Sequence, residues 1–374
     1  MELGLFMMPL HHPDRDYHTT LHEDREAILW ADKLGYDHVW VGEHTTAKPE
    51  QITSPLIFMA TLIEETRRIK FAPGVINLPH HHPADVAGWC AMFDHLAKGR
   101  FIMGIGTGGL VTDFELYGTL EIKNRLDMLL ESIDMVHRMW REEPPYDMRG
   151  KFWNVVVKDT VWPELGLGPM VKPYQKPHPP IAISGMSPTS TSIRIAGERG
   201  WRAISANFIP SVHLKTHAAL YRQGCANAGR AFDPYGWIVA RSILVAESDA
   251  EAEDYVFRPK GVLAHYFGYL RDQLVRGGLA AMFKTDPAMA DSALTDDYCL
   301  GAMTIYGNPA TVTEKLIALR EEIGDFGALL VTAHDWDDKA LWKRSMALIA
   351  NEVAPRLRSS GRGRAVAAAS RAAR

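Results

Sequence analysis

The chain has 374 residues, of which 47% are hydrophobic and 23% are charged, and its formal net charge at pH 7 is -4. This composition is that of a folded globular protein with a large core, and it excludes extensive disorder. A slightly acidic chain has no long-range attraction for phosphate backbones or anionic lipid, so nucleic acid and membrane surfaces are poor candidate partners. We therefore expect a small uncharged ligand.

Three widely separated cysteines, Cys90, Cys225 and Cys299, are the only ones in the sequence. An odd number of distant cysteines argues for a reducing compartment and against a disulfide framework. The first residues lack the basic region and long apolar run of a signal peptide, and no segment reaches transmembrane length. We therefore predict a cytoplasmic location.

Short apolar runs alternate with segments of helical period along almost the whole chain. This alternation predicts parallel strands joined by crossover helices. We predict one α/β domain over residues 1–355 with the fold of a (β/α)8 TIM barrel. The predicted strands are residues 3–8, 38–42, 70–77, 101–106, 180–184, 202–205, 237–245 and 328–332. The predicted helices are residues 21–34, 55–66, 84–96, 125–140, 189–199, 212–228, 311–322 and 340–353.

Two connections are too long for simple crossovers and predict insertions after strands four and seven. Residues 142–179 are rich in proline, glycine and aromatic residues and include a hairpin-like sequence at 150–153. Residues 259–301 form the second insertion, which we expect to be helical. Residues 356–374 carry several arginines and no acidic residue. We predict that they form a basic disordered tail.

In a barrel of this kind, catalytic groups gather at the carboxyl ends of the strands. The sequence places imidazole and carboxylate groups there, which suit proton transfer or metal binding. The residues that follow strands one, two, three and eight are His11, His12, Glu43, His44, Asn77, His80, His81, His82, His334 and Asp335.

The loop after the fifth strand, residues 185–191, brings several hydroxyl groups to the start of a helix. Free backbone N–H groups and the positive end of a helix dipole form a natural phosphate site. Ser187 or Thr189 could equally serve as a simple helix cap, so both readings stay open. The glycine-rich run at 104–109 lacks the spacing of a dinucleotide fingerprint, and we interpret it as letting a flat ring approach the backbone.

Several short motifs occur in an order that resembles the bacterial-luciferase-like flavin-dependent monooxygenases. The pattern is most similar to the terpene-oxygenating members, such as limonene monooxygenase and the diketocamphane monooxygenases. The motifs are residues 41–44, 73–79, 82–83, 99–108, 196–200, 307–312 and 332–336. Each motif is weak alone, but together they span nearly the whole chain.

The resemblance implies a two-component monooxygenase on a luciferase-like TIM barrel. Such an enzyme receives reduced FMN from a separate NAD(P)H-dependent flavin reductase and reacts it with O2 to give a flavin hydroperoxide. The hydroperoxide then oxygenates a small hydrophobic substrate, such as a terpenoid, by epoxidation, hydroxylation or Baeyer–Villiger insertion. The resemblance also implies a homodimer formed through the second and third helices, where we expect Phe58, Met59, Trp89 and Met92 to be exposed.

The resemblance also assigns residues. His44 matches the histidine beside the reactive edge of the flavin, and Glu43 either orients or tunes His44 or simply fixes the loop. Gly74 and Val75 match a cis peptide beneath the flavin ring. Thr107 stands where luciferase has an arginine that contacts the phosphate, so another group must neutralise that charge. The expected cofactor-binding residues are Gly74, Val75, Asn77, Gly106, Thr107, Gly108, Gly185, Met186, Ser187, Thr189 and Ser190.

Three alternatives remain at this stage. A dehydrogenase that uses the deazaflavin F420 would have the same fold. A metal-dependent hydrolase would use His44, the histidines at 80–82 and Asp335 as ligands. A flavin-binding protein without catalytic activity would need the cofactor site but no substrate pocket.

Overall fold

The structure is a computed structural model that describes residues 1–360. The strands are β1 (Glu2–Met7), β2 (His38–Val41), β3 (Lys70–Pro73), β4 (Ile76–Asn77), β5 (Met103–Gly106), β6 (Tyr146–Arg149), β7 (Asn154–Val157), β8 (Ile181–Gly185), β9 (Arg202–Ser205), β10 (Trp237–Val245), β11 (Thr304–Gly307) and β12 (Ala328–Thr332). The α-helices are α1 (Tyr17–Leu34), α2 (Pro55–Ala60), α3 (Pro83–Leu96), α4 (Val111–Leu116), α5 (Arg125–Arg141), α6 (Thr191–Arg199), α7 (Ser211–Asn227), α8 (Asp249–Val256), α9 (Val262–Arg276), α10 (Asp296–Met303), α11 (Pro309–Ile323) and α12 (Lys339–Leu348).

The predicted (β/α)8 barrel is confirmed. Its parallel strands are hydrogen-bonded in the order β3, β2, β1, β12, β10, β9, β8, β5 and β4. Because β4 directly follows β3 along the chain, β3 and β4 together occupy one of the eight strand positions of the barrel. A parallel bridge between Phe71 and Phe101 helps to close the barrel there. All of the strand regions predicted from the sequence therefore take part in the closed sheet.

The two faces of each strand serve different layers, because successive side chains of a strand point in opposite directions. On β10, Ile238 and Ala240 belong to an apolar cluster that also contains Trp40 and Leu330. Val239, which lies between them, packs instead with the larger cluster that includes the helices. The barrel interior is therefore a packed core, which leaves the strand ends as the place for a functional site.

The predicted third strand is interrupted. The peptide bond between Gly74 and Val75 is cis, as the resemblance implied, and it separates β3 from β4. The neighbouring strand β5 approaches this segment so closely that a Cβ atom on Gly104 would lie 1.9 Å from the carbonyl oxygen of Pro73. Gly104 thus permits close packing between strands.

Both predicted insertions are present. Residues 142–179 contain the antiparallel hairpin of β6 and β7, and residues 259–301 contain α9 and most of α10. The short elements α4, α8 and β11 were not predicted from the sequence. Strand β11 pairs with the second half of β10, from Ser242 to Val245, beyond the part of β10 that pairs with β12.

The C-terminal end of the domain lies later than predicted. Residues 354–360 are helical, and the side chain of Leu357 is only 1% exposed. The guanidinium of Arg320 donates a hydrogen bond to the Leu357 carbonyl at 3.2 Å. The prediction of a disordered tail was therefore wrong for residues 356–360. Leu357, which lies between two arginines, buries its side chain, and this packing stabilises a further turn of helix. The rest of that prediction, residues 361–374, lies outside the described residues.

The predicted apolar surface on α2 and α3 is only partly correct. Trp89 and Met92 are exposed, as expected, but Phe58 and Met59 are buried. On α2 the outward-facing residue is Ile57, at 72% exposure, because neighbouring positions on a helix point about 100° apart. No helix within residues 1–360 combines the length and apolar character that crossing a bilayer requires.

Candidate active site

A cavity of about 460 Å³ opens at the carboxyl ends of the barrel strands. It brings together most of the residues predicted for the site, which come from the ends of β2, β4, β5 and β8. The predicted residues that line it are Glu43, His44, Gly74, Val75, Asn77, Thr107, Gly108, Met186, Ser187, Thr189 and Ser190. Phe6 and Met8 also line it, whereas the buried Phe58 belongs to the core and the half-exposed Trp89 lies on the surface.

Two predicted residues, Gly106 and Gly185, do not line the cavity. A Cβ atom on Gly106 would lie 2.3 Å from Cγ2 of Val75, and one on Gly185 would lie 2.5 Å from Cγ1 of Ile193. These glycines let neighbouring segments pack closely behind the cavity wall. Among the residues of the glycine-rich run, Gly108 and Gly109 reach the cavity itself.

His44 is held by an aspartate that the sequence did not single out. Its Nδ1 atom donates a hydrogen bond to Oδ2 of Asp113, on α4, at 3.1 Å. The Asp113 carboxylate also accepts the backbone N–H of Thr45 at 3.3 Å and that of Thr46 at 2.9 Å. The contact fixes the orientation of the imidazole and joins the loop after β2 to the loop after β5.

The charges around His44 favour its protonated form. Burial lowers the pKa of His44, but Glu50 and the hydrogen-bonded Asp113 outweigh this effect and raise the pKa above its ordinary value. Burial acts to raise the pKa of Asp113, yet the hydrogen bonds from His44 and Thr46 lower it to about 2. His44 and Asp113 therefore form an imidazolium–carboxylate pair at the cavity wall.

Glu43 makes no hydrogen bond to His44, although its charge contributes to the raised pKa of His44. The Glu43 carboxylate instead accepts a hydrogen bond from Nε2 of His81 at 2.8 Å. The side-chain amide of Asn77 donates to the Glu43 backbone carbonyl at 3.3 Å. Glu43 thus fixes its own loop against the segment after β4, which is the second role considered from the sequence.

The loop before α6 leaves the helix N-terminus without a side-chain cap. The N-cap residue is Ser190, and its hydroxyl makes no capping hydrogen bond. The hydroxyl of Ser192 donates to the carbonyl of Ser184 at 2.7 Å, so Ser190 must donate to Ser192 across the 2.8 Å between their oxygens. Neither Ser187 nor Thr189 acts as the cap. The first N–H groups of α6 therefore remain available to an anion.

A buried histidine, which the sequence did not indicate, supports this loop from behind. Nε2 of His217 lies 2.8 Å from the backbone carbonyl of Ser187, and its Nδ1 lies 2.9 Å from the hydroxyl of Ser205. Burial lowers the pKa of His217 to about 4, so the ring is neutral at pH 7. Because a carbonyl can only accept, Nε2 carries the proton and Nδ1 accepts from Ser205. Ser205 in turn accepts from the indole N–H of Trp237 at 2.9 Å.

Arg125 is the one lysine or arginine that lines the cavity within the described residues. Its guanidinium donates to the carbonyls of Thr119 and Ile122, both at 3.1 Å, and lies 3.9 Å from the ring centre of Phe114. These partners are uncharged, so they orient the positive charge without neutralising it. Arg125 can therefore supply the cation that is missing at Thr107.

The insertion after β10 covers one side of the cavity. Helix α9 contributes Tyr266, Leu270, Gln273 and Leu274 to the lining. The phenol of Tyr266 accepts a hydrogen bond from the side-chain amide of Asn207 at 2.8 Å. This wall is largely apolar, so it suits a hydrophobic substrate and limits the access of water.

Two other histidines at the strand ends, His11 and His334, contact neighbouring side chains. His11 lies between Asp335, at 2.7 Å, and Asp24, at 3.3 Å, while Arg15 pairs with Asp335. Nε2 of His334 lies 3.1 Å from the hydroxyl of Ser242. Among residues 1–360, no three histidine, cysteine, aspartate or glutamate side chains are grouped so that they could hold a metal ion. The hydrolase alternative therefore has no ligand set in this part of the chain.

Comparison with known proteins supports the resemblance. The model of the luciferase-like monooxygenase family matches residues 1–326. The 3,6-diketocamphane 1,6-monooxygenase of Pseudomonas putida is 31% identical over 96% of this chain and 98% of its own length. Limonene 1,2-monooxygenase of Rhodococcus erythropolis is 30% identical over 95% of this chain and 86% of its own length.

A solved structure shows the same relationship. It is described as a type II Baeyer–Villiger monooxygenase, the oxygenating constituent of 3,6-diketocamphane monooxygenase from Pseudomonas putida, in complex with FMN. It is 32% identical to this chain, covers 95% of it and 98% of its own length, and has a TM-score of 0.85. The similarity to the terpene-oxygenating members is thereby confirmed, and the chain belongs to the luciferase-like monooxygenases.

Proposed function

We propose that this protein is an FMN-dependent monooxygenase that transfers one oxygen atom from O2 to a small hydrophobic substrate. The observation that carries the proposal is the cavity itself, whose lining includes the guanidinium of Arg125, the loop before the uncapped N-terminus of α6 and a largely apolar wall on α9. The relatives that match over nearly the whole chain are named as monooxygenases, and the similar solved structure contains FMN.

The residues of the cavity fit an FMN molecule. The uncapped N-terminus of α6, the hydroxyls of Ser187 and Thr189 and the guanidinium of Arg125 would hold the phosphate. The Gly74–Val75 segment, Asn77, Thr107 and Gly108 would form the seat of the ring system. Reduced FMN supplies the two electrons that allow one atom of O2 to enter the product while the other leaves as water.

His44 would hold a proton at the reacting end of the cavity. Its Nδ1 atom is occupied by Asp113, while Nε2 lies 3.8 Å from Glu50, beyond hydrogen-bond distance. In the imidazolium form, the Nε2 proton is therefore free to be donated to a group bound in the cavity. The pair with Asp113 keeps that proton in place until it is needed.

We also infer that reduced FMN comes from a separate NAD(P)H-dependent reductase. A relative from Acinetobacter baylyi, 23% identical over 95% of this chain, is named the oxygenase component of a flavin-dependent trigonelline monooxygenase. A name of this kind supports a two-component system for this chain as well. An F420-dependent dehydrogenase remains the second candidate, but the similar solved structures of two F420-dependent enzymes, a tetrahydromethanopterin reductase and a secondary alcohol dehydrogenase, are 18% and 17% identical and support the fold alone.

Two further proposals concern the state of the protein in the cell. The exposed apolar residues Ile57, Trp89, Met92 and Leu96 on α2 and α3 suit a homodimer interface. Sedimentation of the wild type and a Met92→Asp variant tests the interface, because the variant should sediment as a monomer at concentrations where the wild type is dimeric.

The buried free cysteines at positions 90, 225 and 299 suit a reducing, cytoplasmic location.

The activity is tested by supplying FMN, NADH, a flavin reductase and ¹⁸O2 to the purified protein. A panel of cyclic alkenes and cyclic ketones separates epoxidation or hydroxylation from Baeyer–Villiger insertion by the mass and structure of the product. We expect one ¹⁸O atom in an organic product. Formation of hydrogen peroxide alone with every compound would contradict the proposal, and reduction of F420 by an alcohol would favour the dehydrogenase.

A further inference from the structure

Glu50 is a buried acidic residue of the cavity wall that the proposed chemistry does not use. It lies in the loop after β2, and only 4% of its surface is exposed. Its Oε2 atom accepts a hydrogen bond from the phenol of Tyr269, on α9, at 3.3 Å. Nε2 of His44 is 3.8 Å from the same oxygen. Glu50 lines the cavity, and both of these contacts are made by Oε2, so Oε1 takes part in neither.

The loop that carries Glu50 is held in place independently of any ligand. The Glu50 backbone N–H donates to the carbonyl of Ala47 at 3.1 Å, and the phenol of Tyr17 donates to the Gln51 carbonyl at 2.9 Å. The backbone N–H of His11 donates to the Pro49 carbonyl at 2.9 Å. Contacts on both sides of Glu50 therefore fix its position at the cavity, as a binding residue requires.

The count of charges in this region favours a neutral Glu50. The imidazolium of His44 is already paired with the Asp113 carboxylate, which accepts further hydrogen bonds from the loop. An ionised Glu50 would have to share the His44 imidazolium, 3.8 Å away, with Asp113, which would leave this buried group with a net negative charge. Burial raises the pKa of Glu50, and this effect outweighs the nearby charge of His44 and the hydrogen bond from Tyr269, which both lower it. A neutral carboxyl group has one O–H donor, and the Tyr269 hydroxyl already occupies Oε2 as a donor.

We propose that Glu50 is a substrate-binding residue whose carboxyl group donates a hydrogen bond to an acceptor oxygen on the substrate. The inference rests on the proposed function, because it assigns this wall of the cavity to the substrate. It specifies a small apolar molecule that carries a carbonyl oxygen, so a ketone should bind more tightly than a hydrocarbon of the same shape.

The test compares pairs of ligands that differ only in the acceptor oxygen. The pairs are cyclopentanone with methylenecyclopentane, cyclohexanone with methylenecyclohexane, and cycloheptanone with methylenecycloheptane. Binding is followed by the change in absorbance of oxidised FMN bound to the protein, and FMN affinity is measured first. We expect at least one ketone to bind roughly three- to tenfold more tightly than its partner, which is the range for one hydrogen bond.

Two variants connect this preference to Glu50. In Glu50→Leu the donor is lost, so the preference for the ketone should disappear while FMN affinity stays within about twofold. Glu50→Gln has nearly the same shape, and its amide can donate to the ketone while its oxygen accepts from Tyr269. The preference should therefore be largely retained in Glu50→Gln, which also serves as the control for folding.

The outcomes separate the two proposals. A wild type that does not bind FMN at all contradicts the proposed function. A wild type that binds FMN but shows no preference for the ketone in any pair overturns the role of Glu50 alone, as does a Glu50→Leu variant that keeps the preference. Tighter binding of cyclohexylammonium than of cyclohexanone would also overturn it, because it would require an ionised Glu50.

Discussion

The Nδ1 atom of His44 lies 3.1 Å from Oδ2 of Asp113, and this contact joins residues 69 positions apart in the sequence. Asp113 is carried by α4, a helix of six residues, and is only 1% exposed. A buried imidazolium needs a buried counter-charge, so the short helix supplies what the loop after β2 lacks. The ion pair thereby determines both the orientation of His44 and its protonation.

Asp113→Asn should destabilise the protein in a pH-dependent manner. The pKa of His44 is raised above the unfolded value of 6.5 in the wild type, so the stabilisation from its proton is fully present below about pH 6.5 and is lost as the pH rises through the raised pKa. The pKa of His44 should be lower in the variant, because the contributions of Asp113 to the raised pKa are lost while burial, which lowers the pKa, remains. The difference in unfolding free energy between the two proteins should therefore be largest at pH 6 and shrink towards pH 9, as measured by urea denaturation.

A difference that stays constant from pH 6 to pH 9 would mean that His44 is not protonated in the folded wild type. His18→Gln is a suitable control for the loss of a histidine, since His18 is exposed and lies away from the cavity lining. Its unfolding free energy should follow that of the wild type within about 0.5 kcal/mol over this range.

His217→Phe should weaken the binding of FMN more than that of riboflavin. His217 acts as a positioning residue, because its Nε2–H holds the Ser187 carbonyl and so the loop before α6. Loss of one hydrogen bond that orients a binding loop should raise the Kd for FMN by roughly tenfold. Riboflavin lacks the phosphate and should lose less affinity, as measured by fluorescence quenching of each flavin.

His217→Gln is the matched control, because a glutamine amide can donate to the same carbonyl. It should restore most of the FMN affinity. If riboflavin and FMN lost affinity equally in His217→Phe, the residue would serve the general stability of the domain instead of the phosphate loop.

Arg125→Met should also separate the two flavins, since it removes the one lysine or arginine side chain that lines the cavity in the described residues. Methionine keeps an unbranched apolar chain that can still pack on Phe114. A hydrogen bond between charged groups contributes about 1.5–3 kcal/mol, so the Kd for FMN should rise roughly 10- to 100-fold. Titration at low salt should show this loss with riboflavin binding nearly unchanged. An unaltered Kd for FMN would place the phosphate elsewhere.

Gly104→Ala tests the close packing between β5 and β3. The added Cβ atom would lie 1.9 Å from the Pro73 carbonyl oxygen, which belongs to the backbone and cannot rotate away. We expect a loss of about 3 kcal/mol or more in the unfolding free energy. Gly88→Ala is the control, because Gly88 lies in α3 and a Cβ atom at this position would meet nothing within 4 Å. That substitution should be neutral or stabilise the helix by about 0.5–1 kcal/mol.

The barrel could be predicted because its signal is local. Strands such as β10 and β12 are continuous apolar runs, and the helices between them have a clear period. The residues at the strand ends, His44 and Asn77 among them, follow from the same pattern. Short elements such as α4 carry too few residues for a period to be visible.

The partners of these residues could not be predicted, since they depend on contacts between distant segments. Asp113 approaches His44 from α4, Glu50 comes back to His44 from further along the loop after β2, and His217 reaches the loop before α6 from α7. Each is unremarkable in its own stretch of sequence. Arg125 could be predicted only in part. Because Thr107 stands where luciferase has an arginine, the sequence predicts that another cation neutralises the phosphate, but it does not indicate which residue.

The account depends most directly on the binding of reduced FMN in the cavity. Anaerobic titration with reduced FMN, followed by rapid mixing with O2, measures this binding and the reactivity of the complex together. We predict saturable binding with one FMN per chain and an oxygen reaction whose absorbance trace changes in His44→Ala while FMN affinity is kept. A chain that binds neither reduced nor oxidised FMN, or whose His44→Ala variant reacts like the wild type, would contradict the account.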